Sequence, residues 1–301
     1  MKKNNSAIII LIILIICVVV WFVFFKKKST KNNSSTTKKE VPEQVTDQNP
    51  AEKQSYKIIT WNLFNFGKSK NDKELEFIAE TVRNFDVLAI QEVSTSPAGP
   101  QAVAKLADIL NRKGAKWDYI VSDATSGDGT ERYAYIWKTS KVKLKGKPRL
   151  SKVLDKKVDR EPYLAHFMNK NDSFLLASFH AIPTSKDPEK ENSLLYLIHK
   201  NNVKQNMMFM GDFNQSEKHE AFDNLKKENY LPTITKQKTS LKMKVKNGEK
   251  LAKEYDNIFY EKDFFKIQSS GIINFADSFR TLKEARQISD HIPVWIEITL
   301  N

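Results

Sequence analysis

Apolar and polar positions divide the chain into three unlike stretches. Ala7 to Phe25 is a run of nineteen apolar residues without a charge. At a helical rise of about 1.5 Å per residue it nearly crosses a hydrocarbon layer of about 30 Å, so it predicts a transmembrane helix with Trp21 at the interface. Lys26, Lys27 and Lys28 follow the run directly, with no small-residue cleavage site, which favours an uncleaved anchor over a signal peptide. Residues 26–55 lack aromatic side chains and are rich in Lys, Ser, Thr and Asn, a composition that predicts a flexible linker. Residues 56–301 then form one large domain, and residues 1–25 the tip and anchor.

Within that domain the periodicity changes from element to element. KIITWNLF (57–64) and DVLAIQEV (86–93) read as strands, separated by a helix with Leu75, Ile78, Ala79 and Val82 on one face. A second helix is predicted over 101–111, with Ala102, Leu106, Ile109 and Leu110 aligned. WDYIVS, ERYAYIWK, YLAHFM, FLLASFHA and NMMFMGDFN are successive strands, with helices over 190–201 and 217–227. Strands over 255–259 and 291–300 follow. Strands outnumber helices, and several follow one another without a helix between them. That excludes a pure βαβ arrangement and predicts two face-to-face sheets with helices outside, a layered α/β sandwich.

Composition narrows the partners. The 301 residues hold 49 Lys and Arg against 36 Asp and Glu, a net charge of +13. Of these, 9 Lys and 4 acids lie in the first 55 residues, leaving 40 against 32 beyond. An excess of this sign favours an anionic partner. Two basic runs, 141–160 and 236–254, read equally as solvated strand edges and as a footprint for a polynucleotide backbone. The single cysteine, Cys17, sits in the apolar run, which excludes a disulfide scaffold and any cysteine-built zinc or iron–sulfur site.

Candidate chemistry shows in where polar residues interrupt the apolar strands. Asn62 breaks IITWNLF, Gln91 and Glu92 end VLAIQE, and His180 ends LLASFH. Asp212 and Asn214 end MMFMGDFN, Asp256 opens YDNIF, and Asp290 with His291 precedes IPVWIEI. Strand ends form the ligand crevice of layered α/β folds. Glu92, Asp212, Asn214, Asp290 and Asn62 are hard oxygen donors of the kind that hold Mg2+ or Mn2+. His180 and His291 are acid–base candidates if a carboxylate orients each. HExxH, Walker A and GxSxG sequences are all absent, so the set points to metal-assisted hydrolysis of a phosphate ester.

These motifs, in this order over residues 57–300, resemble the endonuclease/exonuclease/phosphatase superfamily, and within it the deoxyribonuclease I group. WNLFNFG, QEV, ERYAYIWK, REPY, SFHAIP, GDFN, YDNIF and SDHIPV carry the resemblance. It implies a four-layer α/β/β/α sandwich of two mostly antiparallel sheets. It also implies a metal at Glu92, with Asp212, Asn214 and Asp290 binding phosphate or a second metal. His291 oriented by Asp256 would activate water, and His180 backed by Glu131 would protonate the leaving oxygen, with the two roles open to exchange. Asn62, Asn214 and Arg160 would contact substrate. Mg2+ or Mn2+ is the implied cofactor, with Ca2+ as an auxiliary ion.

Three positions depart from the secreted members of that group. Phe64 stands where an arginine follows the first-motif asparagine, Ser94 follows QEV in place of arginine, and Gly129 occupies a DNA-stacking tyrosine position. The expectation is a monomeric nuclease acting on DNA, with single strands or RNA also accepted. With its N-terminal run the whole chain resembles a bacterial membrane-anchored nuclease, bound to the lipid bilayer with its domain outside. A phosphoesterase acting on a lipid headgroup or small phosphate is the alternative enzyme reading. A non-catalytic surface DNA-binding protein is the alternative of another class.

Overall fold

The structure, a computed structural model, describes residues 53–67 and 70–301. The first strand, β1 (Tyr56–Phe66), shows why the apolar runs are nearly continuous. Tyr56 and Ile58 face one core while Ile59, Trp61 and Leu63 face another, so both faces of the strand are buried. Helix α1 (Asp72–Val82) follows, started by a capping box between Asn71 and Glu74, and leads to β2 (Val87–Val93). Helix α2 (Ala98–Asn111), β3 (Trp117–Val121) and β4 (Arg132–Lys138) come next. Short strands β5 (Lys143–Leu144) and β6 (Arg149–Leu150) precede β7 (Tyr163–Asn169) and β8 (Asp172–His180). Short helices α3 (Glu189–Asn192) and α4 (Tyr196–Lys200) cross over to β9 (Met207–Asp212). The remainder is α5 (Asp223–Lys227), β10 (Tyr230–Pro232), the hairpin β11 (Leu241–Lys246) with β12 (Glu249–Leu251), β13 (Asp256–Glu261), β14 (Phe265–Ile272), α6 (Leu282–Ile288) and β15 (Val294–Leu300).

One sheet has the order β14-β15-β1-β2-β4-β3 and the other β10-β13-β9-β8-β7-β5, with β6 also on β7. Each sheet contains one parallel pair, β1 with β2 and β8 with β9; the remaining pairs are antiparallel. Three apolar clusters define the layers. One joins α1, α2 and α6 to the first sheet, a second built around Tyr135, Phe167, Phe174 and Met210 lies between the sheets, and a third packs the second sheet against α4 and α5. The layered α/β sandwich is therefore present.

The N-terminal part of the expectation is corrected. Among the described residues no helix is long and apolar enough to cross a membrane. The longest, α2, has 14 residues, about 21 Å at helical rise. A transmembrane helix, a lipid-bilayer partner, a membrane-anchored form and a location in the membrane are not part of this fold as described. The run 7–25 and the linker 26–55, on which those expectations fall, lie outside the described residues except for 53–55.

Two predicted helices are also shorter than the periodicity suggests. The 190–201 helix divides into α3 and α4 because Glu191 and Asn192 are drawn into tertiary hydrogen bonds: Glu191 accepts from Asp159 N and Ile182 N, and Asn192 Nδ2 donates to Phe213 O. The 217–227 helix begins late, because Glu217 accepts from Lys236 N and His219 caps Ala221 N.

At the end of β13, Glu261 is buried, its Oε2 has no hydrogen-bond partner, and burial with the nearby Asp263 pushes its carboxyl up to about 7. A carboxyl whose folded value is raised costs stability as pH climbs from its unfolded value through the folded one. Glu261→Gln is expected to raise the melting temperature at pH 8 and to have little effect at pH 4.5. Thermal unfolding at the two values checks this.

Candidate active site

The parallel pairs set the site, because the C-terminal ends of β1/β2 and β8/β9 come to the same edge of the two sheets. Register places Asn62 opposite Gln91, next to Glu92. It also aligns His180 with Asp212 and Asp212 with Asp256, three ionisable residues in a row across β8, β9 and β13. Asn62, fully buried, joins the two sheets. Its Nδ2 donates to Glu92 Oε1 at 3.0 Å and to Asp212 Oδ2 at 3.1 Å, so it positions both carboxylates from beneath.

Two histidine–carboxylate pairs face the same aspartate. His180 Nδ1 lies 2.9 Å from Glu131 Oε2, and its Nε2 is 3.5 Å from Asp212 Oδ2. His291 Nδ1 lies 2.8 Å from Asp256 Oδ2, with Nε2 3.4 Å from Asp212 Oδ2. Burial pulls both imidazoles down, but the carboxylates outweigh it. His180 ends above its ordinary value through Glu131 and Asp212, against the opposing charge of Arg160, and His291 well above it through Asp256 and Asp212. Asp212 is held below the ordinary carboxylate range: burial raises it, but His291, His180, the Asn214 amide and Asn62 prevail. Asp256 is pushed up to about 6 by burial and by Asp212, with His291 opposing.

The remaining residues surround this centre. Glu92 has a left-handed backbone, φ 60°, and its Oε2 accepts from Asn65 N at 2.8 Å. Asn214, also left-handed at φ 50°, donates its amide to Asp212 Oδ1 at 2.9 Å and its Nδ2 to Ala181 O at 2.9 Å. Non-glycine residues held in this conformation store strain, and here both lie at the strand ends that line the cleft. Arg160 donates Nε to His180 O at 2.9 Å and a terminal nitrogen to Ala181 O, and its Nε lies 3.9 Å from Glu131 Oε2. Asp290 stands outside the cleft lining: Oδ2 pairs with Arg286 at 3.1 Å and buried Oδ1 has no hydrogen-bond partner. Ser94 and Gly129 line the cleft, and Phe64 precedes Asn65, which also lines it. A Cβ on Gly129 would come within 2.3 Å of Asp159 Oδ2 and 2.8 Å of an Arg160 nitrogen.

Glu92, Glu131, Arg160, His180, Asp212, Asn214 and His291 line one cleft of about 340 Å³. Asp212, Asp256 and His291 offer ligand atoms all within 4.8 Å of one another. Two buried carboxylates and an imidazole, with Glu92 across the Asn62 bridge, fit a hard divalent cation, and nothing in the set selects among Mg2+, Mn2+ and Ca2+.

Sequence reading missed the residues that hold these groups. Ser289 Oγ donates to Asn62 O at 2.6 Å and accepts from His291 N at 3.0 Å, while Trp61 Nε1 donates to His291 O at 2.8 Å. Thr239 Oγ1 accepts from Asp256 N at 2.8 Å, Tyr133 OH from His180 N at 3.2 Å, and Tyr255 stacks on His291. Trp61, Tyr133, Tyr255 and Ser289 lie within the motifs WNLFNFG, ERYAYIWK, YDNIF and SDHIPV and so carried some signal; Thr239 carried none. His166, His199 and His219 bond to Ser173, Tyr230 and Ala221 N, away from the site.

A two-sheet sandwich with this buried cluster at one edge defines a class, and it supports a metal-dependent phosphoesterase activity. The chain belongs to the Endonuclease/Exonuclease/phosphatase family, whose model matches residues 59–291. No curated protein matches it significantly. Among solved structures it is similar to an endonuclease/exonuclease/phosphatase family protein from Bacteroides thetaiotaomicron, with 18% identity over 83% of this chain and 99% of that one and a TM-score of 0.63. It is also similar to a mannosyl-6-phosphatase from the same organism, with 19% identity over 81% of this chain and 99% of that one and a TM-score of 0.60. The D. rerio TDP2 complexed with single strand DNA product gives 16% identity over 81% and 99%, with a TM-score of 0.57. At these identities the likeness concerns the fold.

Proposed function

We propose that the chain is a divalent-metal-dependent endonuclease that hydrolyses phosphodiester bonds in DNA, with RNA as a second substrate. The observation that carries this reading is the pair of histidines, each oriented by its own carboxylate, facing Asp212 at 3.4–3.5 Å. Binding alone needs no such pairs; in-line displacement needs one group to take a proton and one to give it. His291, with Nδ1 fixed by Asp256, takes the proton of the attacking water at Nε2. His180, with Nδ1 fixed by Glu131, gives a proton from Nε2 to the leaving oxygen. Arg160 and Asn214 orient the phosphate oxygens, and Glu92 and Asp212 would hold the cation, leaving Asp256 to His291. A divalent cation held there supplies charge stabilisation at the phosphoryl oxygens. The surplus of 40 basic over 32 acidic residues beyond position 55 supports a polyanionic substrate over a small one.

The same fold serves a sugar phosphatase and a protein that holds single-stranded DNA, so the substrate is the point to test. The full-length protein is expected to cut an internally labelled DNA oligonucleotide at interior positions in Mg2+ or Mn2+, and to leave sugar 6-phosphates intact. Release of phosphate from the sugar with no cleavage of DNA or RNA would overturn the reading.

A further inference from the structure

Between the strand ends at Asp212 and Asp256 the chain inserts the ribbon β11–β12, which pairs with neither main sheet. Its turn places Asn247 and Gly248 at φ 54° and 75°, the two positive values that close a two-residue hairpin. The base is tied to the catalytic edge. Ser240 bridges His291, Leu241 N donates to Asp290 O at 2.7 Å, and Ile292 N donates to Thr239 O at 2.6 Å. Leu241 is buried beneath it.

The far end is uncovered. Met243 is 76% exposed and Val245 53%, while Lys242, Lys244 and Lys246 alternate with them along the same strand. The register shifts between the Leu241–Leu251 and Lys246–Glu249 pairs, so this stretch is a bulged strand whose tip offers both ammonium groups and apolar side chains to solvent. Glu249 pairs with Lys238 and Lys242, but Lys244 and Lys246 have no acidic partner among the described residues. Edge protection accounts for the lysines. It does not account for two apolar side chains held in water beside them.

We propose that this ribbon enters a groove of duplex DNA. Lys244 and Lys246 then lie on phosphates and Met243 and Val245 against base and sugar edges, while the backbone leaving the groove reaches the cleft at His291. The inference rests on the nuclease reading above and names its substrate as B-form duplex. A two-stranded ribbon fits the B-form major groove, about 12 Å wide, whereas the deep narrow groove of A-form RNA excludes it.

Binding without cleavage tests this. Fluorescence anisotropy of a labelled DNA duplex, with the full-length protein in chelator, is measured across salt concentrations. Lys244→Ala/Lys246→Ala is expected to reduce the slope of log K against log salt by about 1.8, or about 0.9 for each lost phosphate contact. Met243→Ser/Val245→Ser is expected to keep the slope and weaken the duplex by about tenfold. Affinity for an RNA duplex should move little in either variant. An unchanged slope in the lysine variant, equal losses on DNA and RNA duplexes, or no duplex binding by the wild type would overturn the proposal. Hydrolysis of bis(p-nitrophenyl) phosphate in Mn2+ is expected to be equal in all three proteins, since none of the four side chains lines the cleft. Absence of that hydrolysis in the wild type would defeat the nuclease reading, while the anisotropy would still decide the ribbon.

Discussion

Asp212→Asn is expected to lower phosphodiester cleavage by about 10³-fold or more while the protein stays folded. Asp212 is the one carboxylate that both histidines face, and it is the acceptor shared by Asn62 and the Asn214 amide. Asparagine keeps the shape and one acceptor oxygen. It removes the charge that faces the imidazoles and adds a donor opposite Asn62 Nδ2. Removing one partner of a buried charged cluster also costs stability, about 3–5 kcal/mol where a charge is left uncompensated, so the melting temperature is expected to fall while the fold is kept. Turnover of a labelled oligonucleotide, alongside thermal unfolding, checks both halves. Activity within tenfold of the wild type would show that Asp212 is not central.

The second large effect concerns Asp256, which touches His291 and lies one strand away from Asp212. Asp256→Asn leaves His291 without the carboxylate that fixes its Nδ1–H. General acid–base contributions are about 10²–10⁴-fold, and the variant should lose most of that factor at its best pH. The sign of the pH effect is also fixed. Burial lowers His291, and Asp256 is the largest influence raising it. Its removal should move the acid limb of the rate profile to lower pH, because the imidazole becomes neutral sooner on titration upward. Glu131→Gln should instead bring the alkaline limb to lower pH, because His180 acts as the acid and, without the carboxylate that raises it, gives up its proton sooner on titration upward. A profile whose acid limb stays in place in Asp256→Asn would mean that His291 does not set it.

Much of this centre was legible because strand periodicity and strand-end polarity are local signals. Tyr56–Phe66, Val87–Val93 and Met207–Asp212 announce themselves as apolar runs, and Asn62, Glu92 and Asp212 stand out as polar residues where those runs stop. The pairing of His180 with Glu131, and of His291 with Asp256, was expected from resemblance, since 49 and 35 residues separate the partners and no periodicity connects them. Roles that depend on tertiary position stayed hidden. Asn62 reads as a substrate ligand in sequence but lies buried between two carboxylates, and Asp290 faces Arg286. The β11–β12 ribbon looked like a lysine run because its alternation of Lys with Met and Val is meaningful only once the Asn247–Gly248 turn is closed. The N-terminal run lies outside the described residues, and among those no helix is long and apolar enough to cross a membrane.

The central claim is that one cleft, with Asp212 between His180 and His291, performs metal-dependent phosphodiester hydrolysis. It is tested most directly by incubating the full-length protein with supercoiled plasmid in Mg2+ or Mn2+, with and without chelator, beside a His180→Ala/His291→Ala variant. The account expects nicked and then linear plasmid from the wild type, no change in chelator, and no change from the variant. An intact plasmid with either metal, or equal nicking by the variant, would contradict it.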